Sequence, residues 1–206
     1  MTTIILCRHG ESQGNAERRF GGHGPTPLTP RGREQARAAG RVLAKEGIDT
    51  IYASDLVRAV QTADEIAQLC GLRPEHTPAL RERSVGDLTG LTFEEAQVKY
   101  PEAYAALMRR EWDACPPGGE SHSQCAGRVA TFLYDILGRD GGKRVLVVSH
   151  NLTLYHFIRK MLGLADNPQS PVVFFQIDNC ALSRFQRLES GIWKCIALNE
   201  RGHLPA

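Results

Sequence analysis

The chain predicts an α/β fold, a three-layer α/β/α sandwich built on a mostly parallel mixed sheet. Three observations carry that reading. Apolar runs near residues 3–8, 48–53 and 144–149 read as buried strands. Amphipathic helical stretches connect them, and helical crossovers return strands in parallel. Each run also ends abruptly in polar residues, at Arg8-His9, Ser54-Asp55 and Ser149-His150. Open α/β sheets place ligand chemistry at the carboxyl ends of such strands.

The first strand is the run Thr3-Ile4-Ile5-Leu6-Cys7, which carries no charge. Residues 10–28 follow as a long polar loop, expected to lack secondary structure, and such loops are commonly functional. Within it Gly21-Gly22 allows backbone to approach a ligand closely. Thr29 caps the first helix, with Pro30 at its first position and Gly47 as its stop. Ala36, Ala39, Val42 and Leu43 form its apolar face. After the second strand, Ser54 or Asp55 is expected to cap a helix running to about Cys70, with Gly71 beyond. Leu56, Val60, Ala63, Ile66 and Ala67 are its inward stripe. Arg58 lies in its first turn, where the helix dipole disfavours a cation. It either faces solvent or answers an anion. Leu72 to Pro78 reads as a short edge strand, interrupted by Pro74.

Thr92-Phe93-Glu94-Glu95 is a capping box opening a helix that Tyr100-Pro101 breaks and Glu102 to Trp112 resumes. A Pro-Gly loop spans Cys115 to Glu120. Ser121 and Gln124 form a second capping box, for a helix lasting to about Gly138 with Val129, Phe132, Leu133 and Ile136 buried. Asp140-Gly141-Gly142 turns into the apolar core Val145–Val148. The helix after His150 carries Leu154, Tyr155, Ile158, Met161 and Leu162 and stops at Gly163. Two last strands, about 181–188 and 192–198, read as an antiparallel hairpin.

At 206 residues and 42% hydrophobic content, one domain is expected. The net charge of +2, with no long run of like charge, gives no reason to expect nucleic acid or a membrane surface as partner. No apolar segment approaches the roughly 20 residues of a membrane span. Met1 leads directly into the first strand, which leaves no room for a secretory signal, so a cytoplasmic location is expected. The six cysteines form no C-x-x-C pair and read as reduced core thiols, not as a zinc site. Asn151-Leu152-Thr153 matches a glycosylation sequon by coincidence.

Arg8, His9, Arg58 and His150 thus fall at matching topological positions. Each has a bland reading taken singly: a turn, a solvated cation, a helix cap. Together they compose a compact cationic pocket suited to a phosphoryl group.

The ordered motifs resemble those of the histidine phosphatase superfamily, the phosphoglycerate mutase-like family, over nearly the whole chain. They are Leu6-Cys7-Arg8-His9-Gly10-Glu11-Ser12 with Asn15; the block from Thr26 to Ala36; Ala53-Ser54-Asp55-Leu56 with Arg58, Gln61 and Thr62; Leu80-Arg81-Glu82; Pro117 to Ser121; and Val147-Val148-Ser149-His150. The resemblance implies a phosphoglycerate mutase-like fold spanning 1–206 as a single domain, with a helical cap insertion at about 83–125 that sets substrate choice. It implies a phosphomonoesterase acting on a small phosphorylated substrate, with His9 as nucleophile and Glu82 as general acid and base. Arg8, Arg58 and His150 would surround the phosphoryl oxygens. Asn15, the backbone at Asn151 and the Gly21-Gly22 segment would join them. No metal or cofactor is implied. Many members have glycine where this chain has Asn151.

Two alternatives stand beside the phosphatase reading. Arg109-Arg110 and Trp112-Asp113 resemble the cofactor-dependent mutases, whereas the stretch from Gly90 to Glu102 resembles the phosphatase branch. A non-catalytic phospho-ligand or protein-binding module is the other. Oligomeric state is open, with a homodimer as one possibility.

Overall fold

The computed structural model describes residues 1–164 and 173–205. In chain order its elements are β1 (Thr2–Arg8), α1 (Gln13–Ala16), α2 (Pro30–Leu43), β2 (Thr50–Ser54), α3 (Val57–Cys70), β3 (Pro74–Thr77), α4 (Phe93–Lys99), α5 (Pro101–Arg109), α6 (His122–Arg139), β4 (Arg144–Ser149), α7 (Asn151–Met161), β5 (Leu182–Arg187) and β6 (Trp193–Glu200). Among the described residues the sheet has six strands, in the order β3-β2-β4-β1-β5-β6. The strands β3, β2, β4 and β1 run parallel, because helices cross over between them. The tail hairpin adds β5 antiparallel to β1, and β6 antiparallel to β5.

Alternation along the strands divides the core into two layers. Ile4, Leu6, Val145 and Val147 face α6 and α7, where Val129, Phe132, Phe157 and Ile158 cover them. Ile5, Cys7, Leu146 and Val148 face α2 and α3, where Ala39, Leu43, Ala63 and Ile66 cover them. The expected α/β/α sandwich is therefore observed. A smaller apolar cluster, Val85, Leu88, Ala96 and Leu107, holds α4 and α5 together with Phe20.

Several local expectations are corrected. The loop 10–28 contains α1, which Ser12 and Asn15 close with a reciprocal capping box. Helix α2 ends at Leu43, before Gly47, which lies in the following turn at φ +66°. Neither Ser54 nor Asp55 caps α3: its N-cap is Leu56, and the Ser54 hydroxyl instead accepts the Leu56 amide at 3.2 Å. The chain needs two residues to leave the strand, which moves the helix start downstream. Helix α5 stops at Arg109, with Arg110 left-handed at φ +56°, so Trp112 lies outside it. All six cysteines are free, but Cys115 and Cys195 are exposed and Cys70 is half-buried; Cys7, Cys125 and Cys180 are core thiols. Pro74 opens β3, an edge strand, which is where a sheet tolerates proline.

Candidate active site

Strands β1 and β4 are parallel neighbours with Arg8 in register with Ser149, so the two residues that follow them, His9 and His150, meet. The His9 amide donates to the Ser149 carbonyl at 2.9 Å. The two imidazole centroids lie 5.1 Å apart. His9 Nδ1 lies 2.7 Å from the Gly10 carbonyl oxygen. A carbonyl only accepts, so Nδ1 carries the proton and Nε2 keeps its lone pair. Burial holds the His9 pKa well below the ordinary imidazole value, and the Arg58 and Arg8 charges lower it further. Burial, Arg58 and His9 do the same to His150. Both rings are neutral at neutral pH.

Arg58 does not face solvent, the first of the two readings of its helix position. It is 2% exposed and points inward. Its Nη2 donates to the Gly22 carbonyl at 2.8 Å, and its Nη1 to the Gly24 carbonyl at 3.2 Å and Thr26 Oγ1 at 3.4 Å. Burial brings its pKa down to about 10, which leaves it charged. Arg8 donates from Nη1 to the Ile177 carbonyl at 2.5 Å, while its buried Nε meets no partner among the described residues.

The backbone beside His9 is packed too tightly for any side chain. A Cβ on Gly10 would stand 2.3 Å from the Gly32 carbonyl oxygen, and one on Gly32 would stand 2.0 Å from that of Glu11. The Gly10 amide donates to Thr62 Oγ1 at 3.0 Å, and Thr62 donates to the Arg58 carbonyl at 2.7 Å.

Glu82 is anchored to the start of α7. Its carboxylate accepts the amides of Arg83 at 3.0 Å, Thr153 at 3.2 Å and Leu152 at 3.4 Å. It lines a cavity of about 350 Å³ together with Arg8, Gly21, Gly22 and Asn151. His9, Arg58 and His150 are buried beside Arg8. Asn15 is exposed, and its Oδ1 is committed to Ser12 and to Asn179 Nδ2, which leaves its NH2 half as a donor. Asn151 Oδ1 accepts the Ile177 amide at 3.3 Å, so the asparagine that replaces the common glycine ties α7 to the segment before β5.

Five residues around this site have no site role in the sequence reading, although Ser54 and Thr62 fall within its motifs. Thr62 holds the Gly10 amide. Asn179 donates to the His9 carbonyl at 2.8 Å from an irregular segment that no pattern marks. Ser54 contacts His150. Arg83 and His122 line the cavity, the first hidden as a mere flank of Glu82, the second following a capping serine. Of Arg109-Arg110, only Arg110 reaches the cavity; Arg109 is exposed and pairs with Glu111 at 2.8 Å.

This end of the cavity is cationic. Arg83 is 3% exposed, and neither it nor Arg110 has an ion-pair partner among the described residues. Arg110 places its guanidinium carbon 3.2 Å from the Phe174 ring centroid. His122 Nδ1 and His156 Nε2 are 3.2 Å apart. Burial, then the nearby arginines, brings His122 down to about 3. Burial and the neighbouring His122 bring His156 down to about 2. No group of three or more histidine, cysteine or acidic side chains is placed to hold a metal among the described residues. No described helix is long and apolar enough to cross a membrane.

An α/β/α sandwich with paired imidazoles and guanidiniums at adjacent strand ends is the architecture of a phosphoryl-transfer class. The chain belongs to the histidine phosphatase superfamily (branch 1), which it matches over residues 4–201. It is 42% identical to phosphoglycerate mutase-like protein 4 of Arabidopsis thaliana over 150 residues, 71% of this chain and 65% of that protein, just under two thirds of its length. It is 35% identical over 211 residues to the Salmonella newport protein named Probable phosphoglycerate mutase GpmB, covering 100% of this chain and 96% of that one. Among solved structures, the alpha-ribazole phosphatase of Shigella flexneri superposes with a TM-score of 0.86 at 28% identity over 96% of both chains. The mycobacterial glucosyl-3-phosphoglycerate phosphatase in complex with VO3 superposes with a TM-score of 0.83 at 28% identity, over 97% of this chain and 99% of that one.

Proposed function

We propose that the protein is a metal-independent phosphomonoesterase working through a phosphohistidine. The observation that carries this reading is the tautomer of His9: its Nδ1 donates its proton to the Gly10 carbonyl, which leaves the Nε2 lone pair free on a buried ring beside Arg58 and Arg8. In the first step Nε2 attacks phosphorus and the ester P–O bond breaks. Glu82 gives its proton to the leaving oxygen. Arg8, Arg58 and His150 stabilise the charge on the transferring phosphoryl group, with Asn15 and the Asn151 amide as further donors and Gly21 and Gly22 as close backbone. In the second step Glu82 takes a proton from water, the water oxygen bonds to phosphorus, and the N–P bond breaks to release phosphate. Arg8 and Arg58 supply the charge neutralisation that magnesium gives elsewhere, and neutral His150 adds a hydrogen-bond donor, so the reaction draws on no cofactor.

The chain is read as one domain, in which the segment at about 83–125 acts as a cap that sets substrate choice; its residues Arg83, Arg110 and His122 line the cavity. Buried Arg83 and half-buried Arg110, neither with an ion-pair partner among the described residues, favour a small substrate carrying a second anionic group besides its phosphate. That feature, with relatives named phosphoglycerate mutase, supports a mutase-type transfer to another substrate hydroxyl as the second reading. Free thiols fit a cytoplasmic location. No nucleic acid or membrane partner is proposed, and a homodimer remains a proposal of the sequence.

The test is a panel of phosphomonoesters in oxygen-18 water, with and without a carboxylate, as in phosphoglycolate against ethyl phosphate, together with 3-phosphoglycerate, whose free hydroxyl can receive a transferred phosphoryl group. The hydrolase reading expects labelled inorganic phosphate, and lower KM for carboxylate-bearing esters. Isomerised phosphoester without labelled phosphate would support the mutase. Neither product across the panel would overturn the enzyme reading.

A further inference from the structure

Ser54, the last residue of β2, is fully buried. Because β2 pairs with β4, its hydroxyl lies 2.8 Å from Nε2 of His150. The same Oγ accepts the backbone amide of Leu56 at 3.2 Å. That second contact has a fixed direction, since an amide N–H only donates. The hydroxyl has one proton left to place. Among the described residues, His150 Nε2 is the one acceptor it meets.

Two arrangements can be compared. If Nε2 carried the imidazole proton, it would donate to Ser54, and the serine hydroxyl proton would be buried without an acceptor. Leaving a buried donor unmade is unfavourable. If Nε2 accepts from Ser54, the Leu56 amide and the Ser54 hydroxyl are both satisfied, and the one donor left over is the His150 Nδ1–H, which a ligand oxygen at the site would take. The neutral imidazole then carries its proton on Nδ1. That nitrogen is buried and has no partner among the described residues. It belongs to the ring that faces His9 at 5.1 Å between centroids.

We propose that Ser54 is a positioning residue: its hydroxyl fixes His150 as the Nδ1–H tautomer, which makes Nδ1 a hydrogen-bond donor for a phosphoryl oxygen. This rests on the reading of the site as a phosphoryl-transfer centre. The two imidazoles then hold opposite tautomers. His9 spends its Nδ1 proton on the Gly10 carbonyl and presents a lone pair. His150 spends its Nε2 lone pair on Ser54 and presents a proton. Tautomer, set by one neighbour each, separates the nucleophile from the donor.

The test is a long-range proton–nitrogen correlation spectrum of the nitrogen-15-labelled chain near neutral pH. The His150 signals are those lost in His150→Gln. The expected result is a protonated Nδ1 and an unprotonated Nε2, with the Nδ1 proton shifting when orthovanadate is added. Ser54→Ala is expected to give a mixture of tautomers. Its kcat/KM should fall about ten- to hundredfold, as for other outer partners of functional histidines. Ser54→Thr, which keeps the hydroxyl, should restore the tautomer. A wild-type His150 protonated on Nε2 overturns the proposal, as does an unchanged tautomer in Ser54→Ala. Where Ser54→Ala does not fold, the wild-type spectrum decides. That spectrum needs no turnover, so its outcome is separate from failure of the phosphatase reading, which absence of phosphate release by the wild type would reveal.

Discussion

The rings of His9 and His150 face each other at 5.1 Å between centroids and are inclined by 56°. They stand some 140 residues apart in sequence and meet because each follows one of two adjacent parallel strands. Around them lie the Arg8 and Arg58 guanidiniums, whose charges add to burial in holding both rings neutral. A phosphate ester entering this space meets one lone pair and several donors, and the roles proposed for the side chains follow from that asymmetry.

Glu82 is expected to act according to the leaving group. Glu82→Gln keeps size and hydrogen bonding but removes the proton to be transferred. An alkyl phosphate leaves as a strong base and needs protonation; nitrophenyl phosphate needs it far less. Single-turnover phosphorylation should slow by about 10²–10⁴-fold for alkyl esters and much less for the nitrophenyl ester. Equal losses on both would reduce Glu82 to a shaping role.

Arg58 should show the opposite pattern, because it acts on the transferring group and not on the leaving oxygen. Arg58→Lys loses the planar fork that bonds the Gly22 and Gly24 carbonyls. A loss of about 10²–10³-fold in kcat/KM is expected, of similar size for both esters. A loss confined to the alkyl ester would place Arg58 with the acid instead.

Much of this arrangement was legible in the sequence, for reasons that differ residue by residue. The strands β1, β2 and β4 announce themselves as apolar runs with polar ends. The capping boxes at Thr92 and Ser121 are satisfied on both sides, as their spacing predicts. Local signals ran out where the tertiary structure competes for a side chain. Ser54 has the residue type of a helix cap, yet its hydroxyl is drawn to His150 across two strands. Arg109 and Arg110 look equivalent in sequence, but the left-handed turn at Arg110 sends one to solvent and the other to the cavity. Asn179 sits in irregular backbone, where no periodicity identifies a contact to His9.

Gly10 is a case in which the sequence shows the residue but not the reason. Its Cβ would collide with the Gly32 carbonyl, which is backbone and cannot rotate away. Gly10→Ala is expected to destabilise the fold by about 1–3 kcal/mol. For a chain of this size that lowers the melting temperature by roughly 2–4 °C per kcal/mol. Thermal melts of the two proteins check this, and an unchanged midpoint would contradict the close packing.

Acid should weaken the fold through its buried neutral histidines. His9, His150, His122 and His156 all have folded pKa values below the ordinary value near 6.5, with His122 at about 3 and His156 at about 2. Below about pH 6.5 the unfolded chain takes up protons that the folded chain does not. Stability is therefore fully present above that pH and is lost as pH falls. Each such histidine contributes a slope of about 1.4 kcal/mol per pH unit at most. Urea midpoints between about pH 7 and about pH 5 should fall, and His122→Leu should flatten the dependence. Parallel curves for the two proteins would contradict a neutral buried His122.

The phosphohistidine is the centre of the account, and rapid-quench labelling with a phosphorus-32 phosphomonoester tests it most directly. The expected result is acid-labile, base-stable phosphate that maps to His9, forms before phosphate is released, and is absent from His9→Ala. Turnover with no covalent phosphate on His9, or with the label on another residue, would contradict it.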